Sequence, residues 1–165
     1  MDMKEAYLSY KCPRWEDMPA IELYMDQVVS ILEESLNIFS RNEKIITPSM
    51  INNYVKQKIV KPPNKKRYDR VHLAYLYVVC ILKRIMPISQ ICDGMAFAMK
   101  KYSIPQAYNN FCDELESAIA RAFGKDAVEY EYRNSTEDNI IRAAANSYAS
   151  LLYANYLING LKNME

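Results

Sequence analysis

The sequence predicts a mostly helical fold, and three observations support this. The chain of 165 residues holds only three Gly, too few for the turns of a many-stranded sheet. Apolar residues recur at three- and four-residue spacings over long stretches, which is the period of helices buried along one face. Half of the residues are hydrophobic, enough for one domain, or a small module with a helical extension, to bury a core.

The first predicted helix runs from Met18 to Phe39. Asp17 is its expected N-cap, and Pro19 fits the first turn, where a missing N–H costs nothing. Its apolar face consists of Ile21, Met25, Val28, Leu32, Leu36 and Phe39.

A short helix is predicted next, over residues 48–57. Thr47 supplies a capping oxygen and Pro48 occupies the first turn. One face is apolar and consists of Met50, Ile51, Tyr54 and Val55. The opposite face is polar, contains no acid, and consists of Ser49, Asn52, Asn53 and Lys56.

A small basic β-hairpin is predicted over residues 61–68. Ile59 and Val60 are suited to an extended strand, and the following Pro-Pro-Asn sequence breaks any helix and favours a turn. The second arm carries Lys65, Lys66, Arg67 and Tyr68.

Further helices follow the hairpin. Apolar spacing predicts a largely buried helix from Leu73 that ends before Pro87, and a shorter one over residues 89–101. Ser103 and Gln106 form a capping box, which opens a helix that stops at Gly124. Residues 128–132 alternate between apolar and acidic types, so this segment is either a strand or a loop.

The last helix is predicted over residues 136–163 and carries two apolar rows. Ile140, Leu151 and Ile158 belong to the first row, and Tyr148 and Leu152 to the second. Two apolar faces need cover on two sides, either from this chain's own core or from a second copy. A homodimer held by this helix is therefore expected.

Charge is distributed very unevenly along the chain. Eleven of the 21 Lys and Arg residues lie between Arg41 and Arg84 beside only two of the 20 acids, which gives this window a net charge of +9. The other 121 residues hold ten basic and eighteen acidic residues, so their net charge is −8 and the total is +1. Because clustered cations attract polyanions, the window predicts a nucleic acid as partner.

Several classes of protein are disfavoured by what the sequence lacks. With one His and no CxxC pair among four cysteines, we expect no metal site, and the thiols are expected to be reduced core residues. No phosphate loop or catalytic triad is recognisable, so we expect neither an enzyme nor a cofactor.

The pairs Glu33-Glu34 and Glu114/Glu116 are interpreted as solvated helix faces, and His72 as a surface or partly buried residue. Without an apolar span or signal peptide, we expect a cytoplasmic protein with no membrane contact.

The central residues resemble two families. The order short helix, basic hairpin and apolar helix resembles the winged helix-turn-helix of MerR-type regulators. The whole stretch is similar to the uncharacterised bacterial family called domain of unknown function 1836, from about Ile21 across most of the chain. The resemblance rests on Ile51, Tyr54, Ile59, Val60, Pro62, Lys66, Tyr68, Leu73, Leu76 and Ile91.

The resemblance implies a winged helix-turn-helix module over residues 18–101, with a basic core at 41–84, followed by a C-terminal helical extension over 102–165. It also implies that helix 48–57 enters the DNA major groove and that residues 61–68 form the wing on the backbone. The chain departs from the MerR pattern at Asn52, where Arg is usual, and at Lys58, where Gly is usual. No effector-binding pattern is identifiable.

We therefore predict a transcriptional regulator that binds double-stranded DNA. Asn suits bidentate pairing with adenine, while Ser and Lys contact phosphate or base edges. The predicted DNA-binding residues are Ser49, Asn52, Asn53, Lys56, Lys65, Lys66, Arg67 and Tyr68. The alternative is a helical protein–protein interaction module whose basic surface meets an acidic protein.

Overall fold

The computed structural model describes residues 2–40 and 43–162. Arg41, the start of the predicted basic core, and Asn163, the predicted end of the last helix, lie outside the described residues. Within that part the fold is all-α, as predicted. The helices are α1 (Met3–Ser9), α2 (Met25–Leu36), α3 (Pro48–Lys56), α4 (Arg70–Leu82), α5 (Ile88–Ala98), α6 (Ile104–Ala122) and α7 (Thr136–Lys162), with short 3₁₀ turns at Trp15–Asp17 and Asn37–Phe39.

The chain divides into two compact units. One comprises residues 13–93, and the other joins residues 1–12 to 94–165. We call them the central unit and the terminal unit.

In the central unit, α2 begins later than predicted. Leu23 pairs with Tyr68 through two backbone hydrogen bonds of 2.8 Å, in an antiparallel bridge. This pairing keeps residue 23 extended, so the helix cannot include residues 18–24 as predicted. Ile21 is consequently 70% exposed instead of forming part of the apolar face. The predicted cap is also wrong, because the Asp17 carboxylate accepts from the Arg14 N–H within the preceding 3₁₀ turn.

α3 forms as its caps predict. The Thr47 hydroxyl accepts from the Met50 N–H at 3.2 Å, and Pro48 is the first helical residue. At the other end, the N–H of Ile59 donates to Tyr54 C=O and the N–H of Lys58 to Val55 C=O. This is the Schellman arrangement, which requires a left-handed residue, and Lys58 supplies it with a φ of 60°. Ile59 and Val60 therefore end a helix instead of forming a strand.

The expected hairpin is reduced to a tight turn. Asn64 and Arg67 exchange backbone hydrogen bonds of 3.0 and 2.8 Å around Lys65 and Lys66. This is a single bridge, and within residues 2–40 and 43–162 no strand extends it. The two-residue loop, not the predicted Pro-Pro-Asn sequence, makes the turn.

The centre of this unit is α4, which is buried on nearly all sides from His72 to Leu82. Its long apolar run agrees with the sequence prediction of a buried helix. Val28 and Leu32 of α2 and Ile51 of α3 are also fully buried. The burial of Ile51 and Tyr54 places the apolar face of α3 against the core of this unit.

In the terminal unit, α6 and α7 run parallel. Contacts advance together along both helices, from Tyr102 with Asp138, through Glu114 with Arg142, to Phe123 with Tyr153. The connection between them, residues 124–135, must therefore return along the pair. We call it the crossover; its residues 125–130 are irregular and not helical.

The ends of α6 and α7 are set by local signals. Ser103 and Gln106 form the predicted capping box, and Gly124, with a φ of 74°, ends α6. At the start of α7, the Asp138 carboxylate accepts from the N–H and hydroxyl of Ser135. Helix α1, which no sequence pattern predicted, packs its Tyr7 on Phe123. None of the described helices combines the length and the apolar character that crossing a membrane requires.

Candidate nucleic-acid interface

The polar face of α3 is free. Ile51 and Tyr54 are buried on one side of the helix, and the other side points to solvent. Its side chains have no hydrogen-bond or ion-pair partner in the described part of the chain, and all are exposed: Ser49, Asn52, Asn53 and Lys56. The structure therefore leaves two amides and one cation on the solvent side of a helix whose other side is held in the core.

The turn presents two more free cations. Lys65 and Lys66 occupy its tip and are exposed. Beside them, the Arg67 guanidinium lies over the Tyr24 ring at 3.7 Å from the centroid and donates to the Tyr24 hydroxyl. The stacking holds Arg67 at the surface but engages part of its donor set.

Tyr68 does not belong to this surface. It is only 3% exposed, and its ring meets the edge of His72 at 5.1 Å. Its backbone forms the bridge to Leu23. Tyr68 therefore positions the turn with a buried side chain, whereas Arg67 is half-buried and the other six predicted residues are exposed.

Three lysines share an unusual backbone conformation. Among residues 2–40 and 43–162, the non-glycine residues with positive φ are Lys58 at 60°, Lys65 at 47° and Lys66 at 63°. A side chain in this region costs roughly 1–2 kcal/mol per residue, and Gly or Asn normally occupies it. Lys58 stands where the MerR pattern has Gly, and its left-handed backbone conformation is one that Gly adopts at lower cost.

Other basic side chains of the central unit are engaged in hydrogen bonds that stabilise the fold. Lys83 Nζ donates to Ile45 C=O at 2.6 Å, and Arg84 donates to Phe39 C=O at 2.9 Å. Arg70 Nε donates to Met18 C=O at 2.9 Å. These three side chains bind carbonyls that end helices or loops, so they contribute less to the exposed positive surface than the sequence count implied.

The basic core contains two acids, Glu43 and Asp69, and the negative charge of Asp69 is compensated by its neighbours. Asp69 caps α4, forms a 2.6 Å ion pair with Lys61, and lies 2.7 Å from His72 Nδ1. Partial burial alone would raise the pKa of Asp69, but these partners hold this pKa below its usual value.

His72 is 2% exposed, so the interpretation of His72 as a surface or partly buried residue was wrong.

The thiols and acids of the chain form no metal centre in the part that the structure describes. All four cysteines lie within that part; none forms a disulfide, and three are buried. Burial raises the pKa of the Cys80 thiol to about 11, so at neutral pH it is protonated and packs as an apolar group.

A second site that the sequence analysis missed lies in the terminal unit. Glu114 is 2% exposed and binds Arg142, which also donates to the crossover carbonyls of Tyr130 and Arg133. Glu116 binds Lys11 and the Cys12 N–H. Both acids were interpreted as solvated, which was wrong. Between the crossover and the helices is a cleft of about 360 Å³ with mixed charge, lined in part by Arg121 and Glu129.

Comparison with known proteins gave a single kind of match. The model of the family described as Domain of unknown function (DUF1836) matches residues 13–111. The search of curated proteins found no match, and neither did the search of solved structures.

Proposed function

The chain belongs to the DUF1836 family, and from the surface of its central unit we propose that it binds duplex DNA. In this proposal α3 enters the major groove, and the turn at Lys65 and Lys66 contacts the phosphate backbone of the flanking DNA. We propose that this arrangement is a MerR-like winged helix-turn-helix in which the turn serves as a minimal wing.

The conformation of the three lysines carries the proposal. Lys58, Lys65 and Lys66 have a left-handed backbone conformation, which Gly or Asn normally occupies, yet each carries a long, positively charged side chain. Backbone strain of this kind clusters at functional sites, where the strained residue has a role other than stabilising the fold. Since all three are exposed and have no ion-pair partner in the described part of the chain, the purpose that fits them is contact with an external polyanion.

The polar face of α3 supplies the sequence-reading part of the proposal. Asn52 and Asn53 each have an amide able to donate and accept, which matches the major-groove edge of adenine. Ser49 and Lys56, at the two ends of the same face, suit phosphates on either side of the groove. The cations would provide affinity and the amides selectivity.

Measuring affinity for duplex DNA against salt concentration tests the proposal. The double variant Lys65→Ala/Lys66→Ala should bind all sequences more weakly, with a log–log salt slope that is shallower by roughly 0.9 for each lost phosphate contact. The matched control is Lys4→Ala/Lys125→Ala, which removes two exposed lysines of the terminal unit and should leave the slope unchanged.

The same titration distinguishes the competing interpretation, a basic surface that binds an acidic protein. That interpretation predicts no salt-dependent binding of the wild-type protein to duplex DNA. Equal slopes in the wild type and both double variants would remove the turn from the DNA-binding surface.

A further inference from the structure

One face of α7 is exposed along most of the helix. Opposite it, residues such as Ala145, Tyr148 and Leu152 are buried. The exposed face follows alternating spacings of four and three residues. Its members, which we call the α7 seam, are Ala143, Ser147, Ser150, Ala154, Leu157 and Leu161.

The spacing of the seam is that of a coiled-coil heptad, in which core positions recur every 3.5 residues on average. Leu157 is 46% and Leu161 67% exposed, and because they lie one helical turn apart they form a shared apolar patch, which is more informative than single exposed side chains. The Ser147 hydroxyl donates to Ala143 C=O at 2.8 Å, so its hydrogen is satisfied within the helix. A serine hydroxyl at Ser150 can bond the carbonyl four residues earlier in the same way. A neighbouring helix can therefore cover the seam without leaving a donor unsatisfied.

The residues of α7 that flank the seam carry no charge of their own. Between Arg142 and Lys162 the sequence contains no Asp, Glu, Lys or Arg. The seam itself therefore offers no charge to an oppositely charged partner, and a second copy of the same face meets no like-charge repulsion within it. This favours self-association over a charged partner.

The order of small and large residues selects an antiparallel arrangement. In a parallel pair, Leu157 and Leu161 would face their own copies, and the small residues would leave a gap at the other end. In an antiparallel pair, the two-fold axis crosses the seam at the level of Leu152. Each large residue of the seam then faces a small one of the second copy, and small residues meet at the centre. The facing pairs are then Ala143 with Leu161, Ser147 with Leu157, and Ser150 with Ala154, each occurring twice.

We infer that a second copy of this chain packs along the α7 seam, antiparallel and about a two-fold axis. Such an interface is isologous, so the same residues serve both copies. Serine and alanine at the centre let the helix axes approach closely, and the leucines close both ends. The inference concerns α7 alone and does not depend on DNA binding.

The mass of the protein in solution, without DNA, tests the interface. From about 1 to about 100 µM the wild type should shift towards twice 19.2 kDa, as mass action requires of a dimer. Ser150→Glu should weaken association at least ~100-fold, because it places two carboxylates near the axis. Asn159→Glu is the control: it adds the same charge at an exposed position nine residues on, about two and a half turns away and so on the opposite side.

Circular dichroism of both variants checks that the helix content of the protein, to which α7 contributes the longest helix, is unchanged. A wild type that remains at 19.2 kDa throughout would overturn the inference. So would a Ser150→Glu protein that associates as tightly as Asn159→Glu.

Disulfide cross-linking tests the orientation. Ser150→Cys mixed with Ala154→Cys should give a mixed cross-linked dimer, mapped by mass spectrometry, because these positions face each other. Either variant alone should give far less product at the new cysteine. Efficient cross-linking of each variant to itself, without the mixed product, would contradict the antiparallel arrangement.

Discussion

Replacing the turn sequence Lys65-Lys66 by Asn-Gly should strengthen the fold and weaken DNA binding at the same time. Both lysines have positive φ, at 47° and 63°, the pattern of a two-residue loop that Asn-Gly suits best. Relief of left-handed strain is worth roughly 1–2 kcal/mol per residue, and glycine's greater freedom in the unfolded chain cancels about 0.5–1 kcal/mol of it. We expect a net gain of about 1–3 kcal/mol, and each kcal/mol raises Tm by about 2–4 °C for a chain of this size.

The same variant loses two exposed cations. If each contacts one phosphate, the slope of log affinity against log salt should fall by about 1.8 in magnitude. Thermal unfolding and fluorescence anisotropy with a labelled duplex measure the two effects on one protein. Because most loss-of-binding variants also destabilise, a gain in stability with a loss of binding separates the charges from the fold.

Two results would refute the reasoning. A variant less stable than wild type would mean that the lysines are not strained. An unchanged salt slope in a stabilised variant would mean that the turn does not touch the phosphate backbone.

Three other predictions concern single positions. Asn52→Ala and Asn53→Ala should each relax base preference at one or two positions, at about 1–3 kcal/mol per lost bidentate contact; selection from a random DNA pool would reveal it, and identical preferred sequences in all three proteins would exclude base reading. Lys58→Gly should stabilise the central unit by up to about 1 kcal/mol because Gly accepts the left-handed cap at lower cost, which chemical denaturation measures; a loss of stability would count against strain at this cap. Burial alone would raise the pKa of Asp138, but hydrogen bonds from Lys101, Tyr102 and Ser135 hold this pKa well below its usual range. The stability that the Asp138 carboxylate contributes is therefore fully present above the unfolded-state pKa near 4. It is lost as the pH falls through the folded-state pKa. Asp138→Asn should therefore cost about 1–3 kcal/mol at neutral pH and progressively less in acid, and denaturation curves that differ equally at all pH values would contradict this.

The parts of the fold predicted correctly depend on neighbouring residues. Thr47 with Pro48, Ser103 with Gln106, and Gly124 each set a helix end through atoms within five residues along the chain. Such signals act over short distances, so the sequence alone reveals them. The exposed face of α3 was predictable for the same reason, because helical spacing fixes which residues share a side.

The errors came from partners far away in the chain. Leu23 is extended because Tyr68 pairs with it, 45 residues later, and no local pattern at residue 23 indicates this. Tyr68 looked like part of a basic arm, but the same bridge draws it into the core. Glu114 lies in an otherwise apolar helical row, a signal of burial in retrospect, yet its partner Arg142 is 28 residues away.

The parallel course of α6 and α7 also governs how the terminal unit must fold. Two antiparallel helices can pair progressively from the loop that joins them, at little cost in chain entropy at each step. Here the first facing residues, Tyr102 and Asp138, are 36 positions apart, and the crossover must be laid down before the helices are aligned. Closing that long loop precedes most of the stabilising contacts, so we expect this unit to have a slower nucleation step than its helical content implies.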